Sequence, residues 1–139
     1  MTETRGVFAP ETETDVRDLY EAAGPAAQTV TREVAKSLDL SKAAYDEQVT
    51  SEVVGTARDA LFASLLEVEV GDYEAWAAVR DDHPDAEVVE EGSSDVENAA
   101  WHYVPFADVL VAATFQDRPD AAVATLRRIA FGRYYRDAL

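Results

Sequence analysis

From Thr12 to Asp82 the apolar residues recur every three or four positions, and beyond Pro84 that spacing gives way to alternation and β-branched runs. A helical stripe and a strand face must each be buried against another element, so one change of period leaves few architectures open. The order is helices first, strands next and one more helix at the end. It predicts an α+β domain with a helical N-terminal half and a small antiparallel sheet of about three strands within residues 87–116. The C-terminal helix is expected to pack on that sheet.

Local signals place the elements. Thr12 or Thr14 starts a first helix whose apolar face is Val16, Leu19, Tyr20 and Ala23. Gly24 and Pro25 then end it and open a second helix, expected to bury Ala26, Ala27, Val30, Val34 and Leu38. Ser41 to Gln48 reads as a short helical turn. Thr50 caps "SEVVGTARDALFASLL", with Val53, Val54, Ala57, Leu61 and Leu65 as its stripe. Ala60, Ala63 and Ser64 widen that stripe with small side chains and allow another element to come close. "LEVEVGD" fits either a helix end or a short strand, and Asp72 starts a helix over "YEAWAAVRDD". "AEVVEE", "ENAAWHYVPF" and "DVLVAATFQ" read as strands, the run Val109–Phe115 as the central one and Pro105 to Asp108 as a hairpin connection. Asp117 is expected to open the last helix, with Pro119 in its first turn. Residues 1–11 show no periodicity and are expected to be a flexible segment of a single domain spanning residues 1–139.

Charge enters because it limits partners. There are 28 Asp and Glu against 12 Lys and Arg, a formal net charge of -16, and only Lys36 and Lys42 are lysines. Such acidity destabilises a compact state by self-repulsion, and molar salt, with a Debye length of about 3 Å, screens it. The acids are spread along the chain, and the apolar residues are mostly Ala and Val. This pattern predicts a halophilic, salt-adapted cytoplasmic protein. No apolar run approaches the roughly 20 residues of a membrane span, and the N-terminus has no basic-then-apolar leader pattern, so no membrane partner is expected. The chain has no Cys, which excludes disulfides, thiolate nucleophiles and Cys-bound metals.

Reaction signatures are missing. Neither a G-x-S-x-G elbow nor a glycine-rich phosphate loop occurs, and no cofactor is expected. His83, in "RDDHPDAE", reads as part of a solvated acidic loop; the spacing matches no calcium loop, and no metal is expected. His102, in "AAWHYVPF", points away from Trp101 and Tyr103 if the segment is a strand. It faces solvent or a groove if those aromatics are core, and needs a buried partner if the faces are reversed. It is the one candidate catalytic residue.

The stretch "TLRRIAFGRYYR" packs four arginines and three aromatics into twelve residues. On an α-helical wheel Ala122, Val123, Leu126, Ile129 and Ala130 form the core face. Arg133 and Asp137 continue it and are expected to form a structural ion pair. Phe131 and Tyr135 fall on the opposite side with Arg127 and Arg128. A second element covering them, a homodimer seam or protein partner, and a polyanion each fit that side. Nucleic acid is not expected, because the remaining surface is acidic and high salt weakens phosphate-driven binding.

The runs "AAQTV", "YDEQVT", "ARDALFASLL", "AWHYVPF", "AATFQ" and "TLRRIAFGRYYR" resemble members of an uncharacterised family of small haloarchaeal proteins, from about Gly6 to the end. The resemblance implies a salt-filled cytoplasm and no assigned catalytic or binding residue. The functional expectation is a non-enzymatic protein-interaction or self-associating module using the C-terminal helix. The alternative is a small-molecule binder or enzyme with a pocket near His102 and Trp101.

Overall fold

The computed structural model describes residues 2–139. Among them are five strands: β1 (Glu3–Arg5), β2 (Val68–Asp72), β3 (Glu87–Glu91), β4 (Asn98–Val104) and β5 (Val109–Phe115). The helices are α1 (Glu13–Ala22), α2 (Gly24–Ser37), α3 (Lys42–Gln48), α4 (Ser51–Ser64), α5 (Tyr73–Asp82) and α6 (Pro119–Ala130). The last of these runs on as a π-helical segment, Phe131–Tyr135, and a short 3₁₀ turn, Arg136–Ala138.

The class is α+β, but an antiparallel sheet of about three strands within residues 87–116 undercounts it. One five-stranded mixed sheet runs in the order β1-β2-β4-β5-β3. After β3 the chain skips one place before laying down β4, and the Pro105–Asp108 turn folds β5 back into the gap. As a result β4 and β5 are antiparallel, while β3 and β5 are parallel from Glu87↔Val109 to Glu91↔Ala113. The added strands, β1 and β2, are three and five residues long, too short to give a period of their own.

The N-terminal segment expected to be flexible supplies β1, which pairs with β2 from Glu3↔Val70 to Arg5↔Val68. Val7 and Phe8 then donate backbone N–H to the Leu65 carbonyl at 2.9 and 2.8 Å. Gly6 allows this turn: its φ is +94°, and a Cβ there would lie 2.4 Å from the Leu66 carbonyl oxygen. Met1 lies outside the described residues.

Both faces of the sheet are covered, which explains why Val109–Ala113 is buried without alternating. On one face Val68, Val70, Ala100, Val104 and Val111 pack against Phe62, Leu66, Leu126, Ala130 and Tyr135. On the other, Ala99, Trp101, Leu110 and Ala112 meet Trp76 of α5, whose ring stacks on Trp101 at 5.9 Å.

The helix starts follow local chemistry. Thr12 forms a reciprocal capping box with Asp15, and Ser41, Thr50 and Asp72 each accept a first-turn N–H. The last helix differs from expectation. It begins at Pro119 after Arg118, with no side-chain cap, and not at Asp117.

The second helix also differs. α2 buries Ala27, Thr31 and Ala35, spaced by four, while Val30, Val34 and Leu38 of the expected core stripe are 43%, 53% and 64% exposed. Small side chains let α2 approach closely, and the Thr31 hydroxyl is satisfied by donating to Ala27 O at 2.8 Å. On α4 the one fully buried residue is Phe62, which lies outside the expected stripe.

Candidate functional site

His102 projects from β4 on the same face as Ala100 and Val104, and is 6% exposed. Both orientations expected for it assume that only one sheet face is core. Because both faces are covered, His102 is buried although Trp101 is buried on the other side. Its Nδ1 lies 2.6 Å from the backbone oxygen of Glu67. A carbonyl can only accept, so Nδ1 carries the proton, and Nε2 accepts the hydrogen bond donated by the Tyr135 hydroxyl. Burial pushes the imidazole pKa down to about 4; the Arg127 charge acts the same way, and the Glu67 hydrogen bond opposes both. Burial also holds the Tyr135 phenol well above its ordinary range.

A cleft of about 270 Å³ is lined by His102 itself together with Trp101, Tyr103, Glu11, Glu67 and Glu69 among others. General-base catalysis requires a ring nitrogen free to take a substrate proton. Both nitrogens of His102 are engaged inside the protein. The geometry is that of a structural lock joining β4, the residue before β2 and the C-terminal segment.

Phe131 and Tyr135, expected on an interface, are 4% and 0% exposed. Their rings lie 5.7 and 5.8 Å from that of Phe62, so α4 covers the side of the C-terminal helix on which they were placed. Of the readings open for that side, the covering second element is the one present, and the segment Phe131–Tyr135 itself winds as a π-helix. Within it Tyr135 meets His102 of the sheet through its hydroxyl while its ring still packs on Phe62 beside Phe131. Arg133, in this segment, and Asp137, in the 3₁₀ turn after it, do not sit at the core edge. Both are exposed, and among the described residues they form no ion pair with each other. Arg136 instead lies 3.8 Å from Asp59 and stacks over the Phe131 ring at 5.1 Å.

Arg127 is partly buried, with Nε donating to Leu66 O at 3.0 Å and Nη2 to Arg5 O at 3.4 Å. It therefore caps chain carbonyls where an interface arginine was expected. Burial, followed by the like charge of Arg5, pushes its pKa down. Arg128 is exposed. Both line a groove of about 540 Å³ between α4 and α6, and Arg136 lines it as well.

A second groove, of about 290 Å³, opens between α2 and α4 and is floored by Val30, Val34, Leu38, Leu40, Val49 and Val53. No ionisable side chain lines it. It is the part of the surface that sequence reasoning missed: the 30-34-38 spacing was visible but was assigned to the core.

A protein-family model described as a family of unknown function (DUF5809) matches residues 7–136. No curated protein and no solved structure matches the chain.

Proposed function

The chain belongs to DUF5809, a family of unknown function, and from its own residues we propose that it is a self-associating interaction module docking through the α2–α4 groove. The observation that carries this reading is the outward turn of Val30, Val34 and Leu38. Three large aliphatic side chains in a row on one exposed helix face, continued by Val53 of α4, form a contiguous apolar patch. Patches of this kind on folded proteins mark contact surfaces. Docking thus moves from the C-terminal helix, whose aromatics are already covered by α4, to the helical layer.

Charge favours a second copy as the occupant. Residues 24–50 hold three basic and four acidic side chains, in a chain of net charge -16, and they include both lysines. This is the part of the surface where two identical acidic molecules repel each other least. A two-fold contact laying α2 against its counterpart would cover Val34 and Leu38 on both copies. The composition further supports a salt-adapted cytoplasmic setting, in which the remaining repulsion is screened. The cleft beside His102 supports a catalytic reading less well, because the imidazole has no free nitrogen.

Sedimentation equilibrium in molar KCl tests the proposal. The parent chain is expected to sediment as a dimer, and Val34→Asp with Leu38→Asp as a monomer with an unchanged far-ultraviolet spectrum. A parent that stays monomeric, or a variant that stays dimeric, overturns it.

A further inference from the structure

We infer that the groove between α4 and α6 is a binding site for a phosphorylated small molecule, its anionic group drawn by the positive lining that Arg127, Arg128 and Arg136 supply. The inference is independent of the α2–α4 surface and rests on how positive charge is placed in a very acidic chain. Three of the twelve basic residues line this one groove, together with Asp59 as its single acid out of 28. Among the described residues Arg5, Lys36, Arg80 and Arg136 enter ion pairs, and Arg127 and Arg128 are among the cations that do not.

Arg127 is the least expected of the three. Its guanidinium is partly buried, its hydrogen bonds go to two backbone carbonyls, and the charged group that acts on it most is another cation, Arg5. A partly desolvated cation without a counter-charge is costly. A bound anion supplies the missing charge, and is attracted more strongly there than at a solvated surface.

Arg128 lies next to it in sequence and is exposed. Arg136 is free enough to join, because its partner Asp59 sits 3.8 Å away and already accepts the Tyr20 hydroxyl at 2.5 Å. A loose, partly exposed pair of this kind holds little energy. Guanidinium forks match the paired oxygens of a phosphoryl group. Meanwhile the -16 field of the chain repels anions in general, so a ligand that enters must make several such contacts at once.

The groove, at about 540 Å³, is larger than a phosphate needs, and Ala60, Ala63, Ala124 and the covered edge of Phe131 give it an apolar wall. That wall suits the organic part of the ligand. Gly132 leaves the rim open: a Cβ there would meet nothing within 4 Å.

Inorganic pyrophosphate is the probe. It is titrated into the full chain by calorimetry at the lowest KCl concentration that preserves the native far-ultraviolet spectrum. The parent is expected to saturate at one site per chain. Arg128→Gln with Arg136→Gln should weaken binding at least tenfold, and Arg32→Gln, an exposed arginine on α2, should leave it unchanged. Both substituted arginines are exposed, so the fold is retained, and the spectrum verifies this. The inference is overturned if pyrophosphate does not saturate, if Arg32→Gln weakens binding as much as the groove variant does, or if a single-stranded RNA oligomer binds where pyrophosphate does not.

Discussion

At the scale of single residues, His102 ties the strand pattern to the thermodynamics. Protonation would place a charge where Nε2 now accepts from Tyr135, in a space closed by β4 and the C-terminal segment and faced by the Arg127 cation. The folded-state pKa, at about 4, lies below the ordinary value of 6.5, so the unfolded chain binds the proton more readily between those values. The stability this neutral imidazole contributes is complete above pH 6.5 and is lost as pH falls toward 4. The loss is on the order of 3 kcal/mol. Thermal midpoints across that window should fall with pH in the parent and fall less in His102→Gln; parallel curves would refute a buried neutral His102. The carboxylates titrate in both proteins, so the difference between the curves isolates the imidazole. The sequence placed His102 opposite Trp101 correctly, since alternation along a strand is a property of the backbone. Its partner was not legible, because Tyr135 lies 33 positions away in a segment whose winding departs from the α-helix.

Among elements, Phe62 joins what the chain keeps far apart. Its ring lies within 6 Å of Phe8, Tyr20, Phe131 and Tyr135, which come from the N-terminal strap, α1 and the C-terminal segment. Phe62→Ala would open a cavity shared by all of them, at a cost of about 3–5 kcal/mol. Urea titration should show this as a lower midpoint with an unchanged slope, and a midpoint within error of the parent would mean that these elements do not depend on α4. The helix starts at Thr12, Ser41, Thr50 and Asp72 were legible because a cap is a contact between residues three apart. The faces were less so. On α2 both 27-31-35 and 30-34-38 repeat every four residues, and periodicity says which residues share a face without saying which face meets a neighbour. Close approach to α4 selects the small set. The short β1 and β2 escaped for a different reason: their pairing depends on partners more than 60 positions away.

Across the whole molecule the unbalanced charge decides behaviour. The described residues hold five ion-pair contacts against 28 acidic side chains, so most carboxylates have no cation and act on one another through solvent. Their net repulsion was legible from composition alone. The positions of the near-neutral helical layer and of the unpaired arginines required the fold. Raising KCl from about 0.1 M to about 2 M shortens the Debye length from about 10 Å to below 3 Å, which weakens repulsion between exposed acids far more than any buried contact. The thermal midpoint should therefore rise with salt, most steeply at the low end, where screening changes fastest. Dimerisation through the α2–α4 groove should strengthen in parallel, because it brings two acidic molecules together. The proposed pyrophosphate binding at the α4–α6 groove should show the opposite sign, since salt would screen an attraction there. A midpoint that stays flat or falls with KCl would mean that the acids are balanced locally and that self-repulsion does not limit this fold.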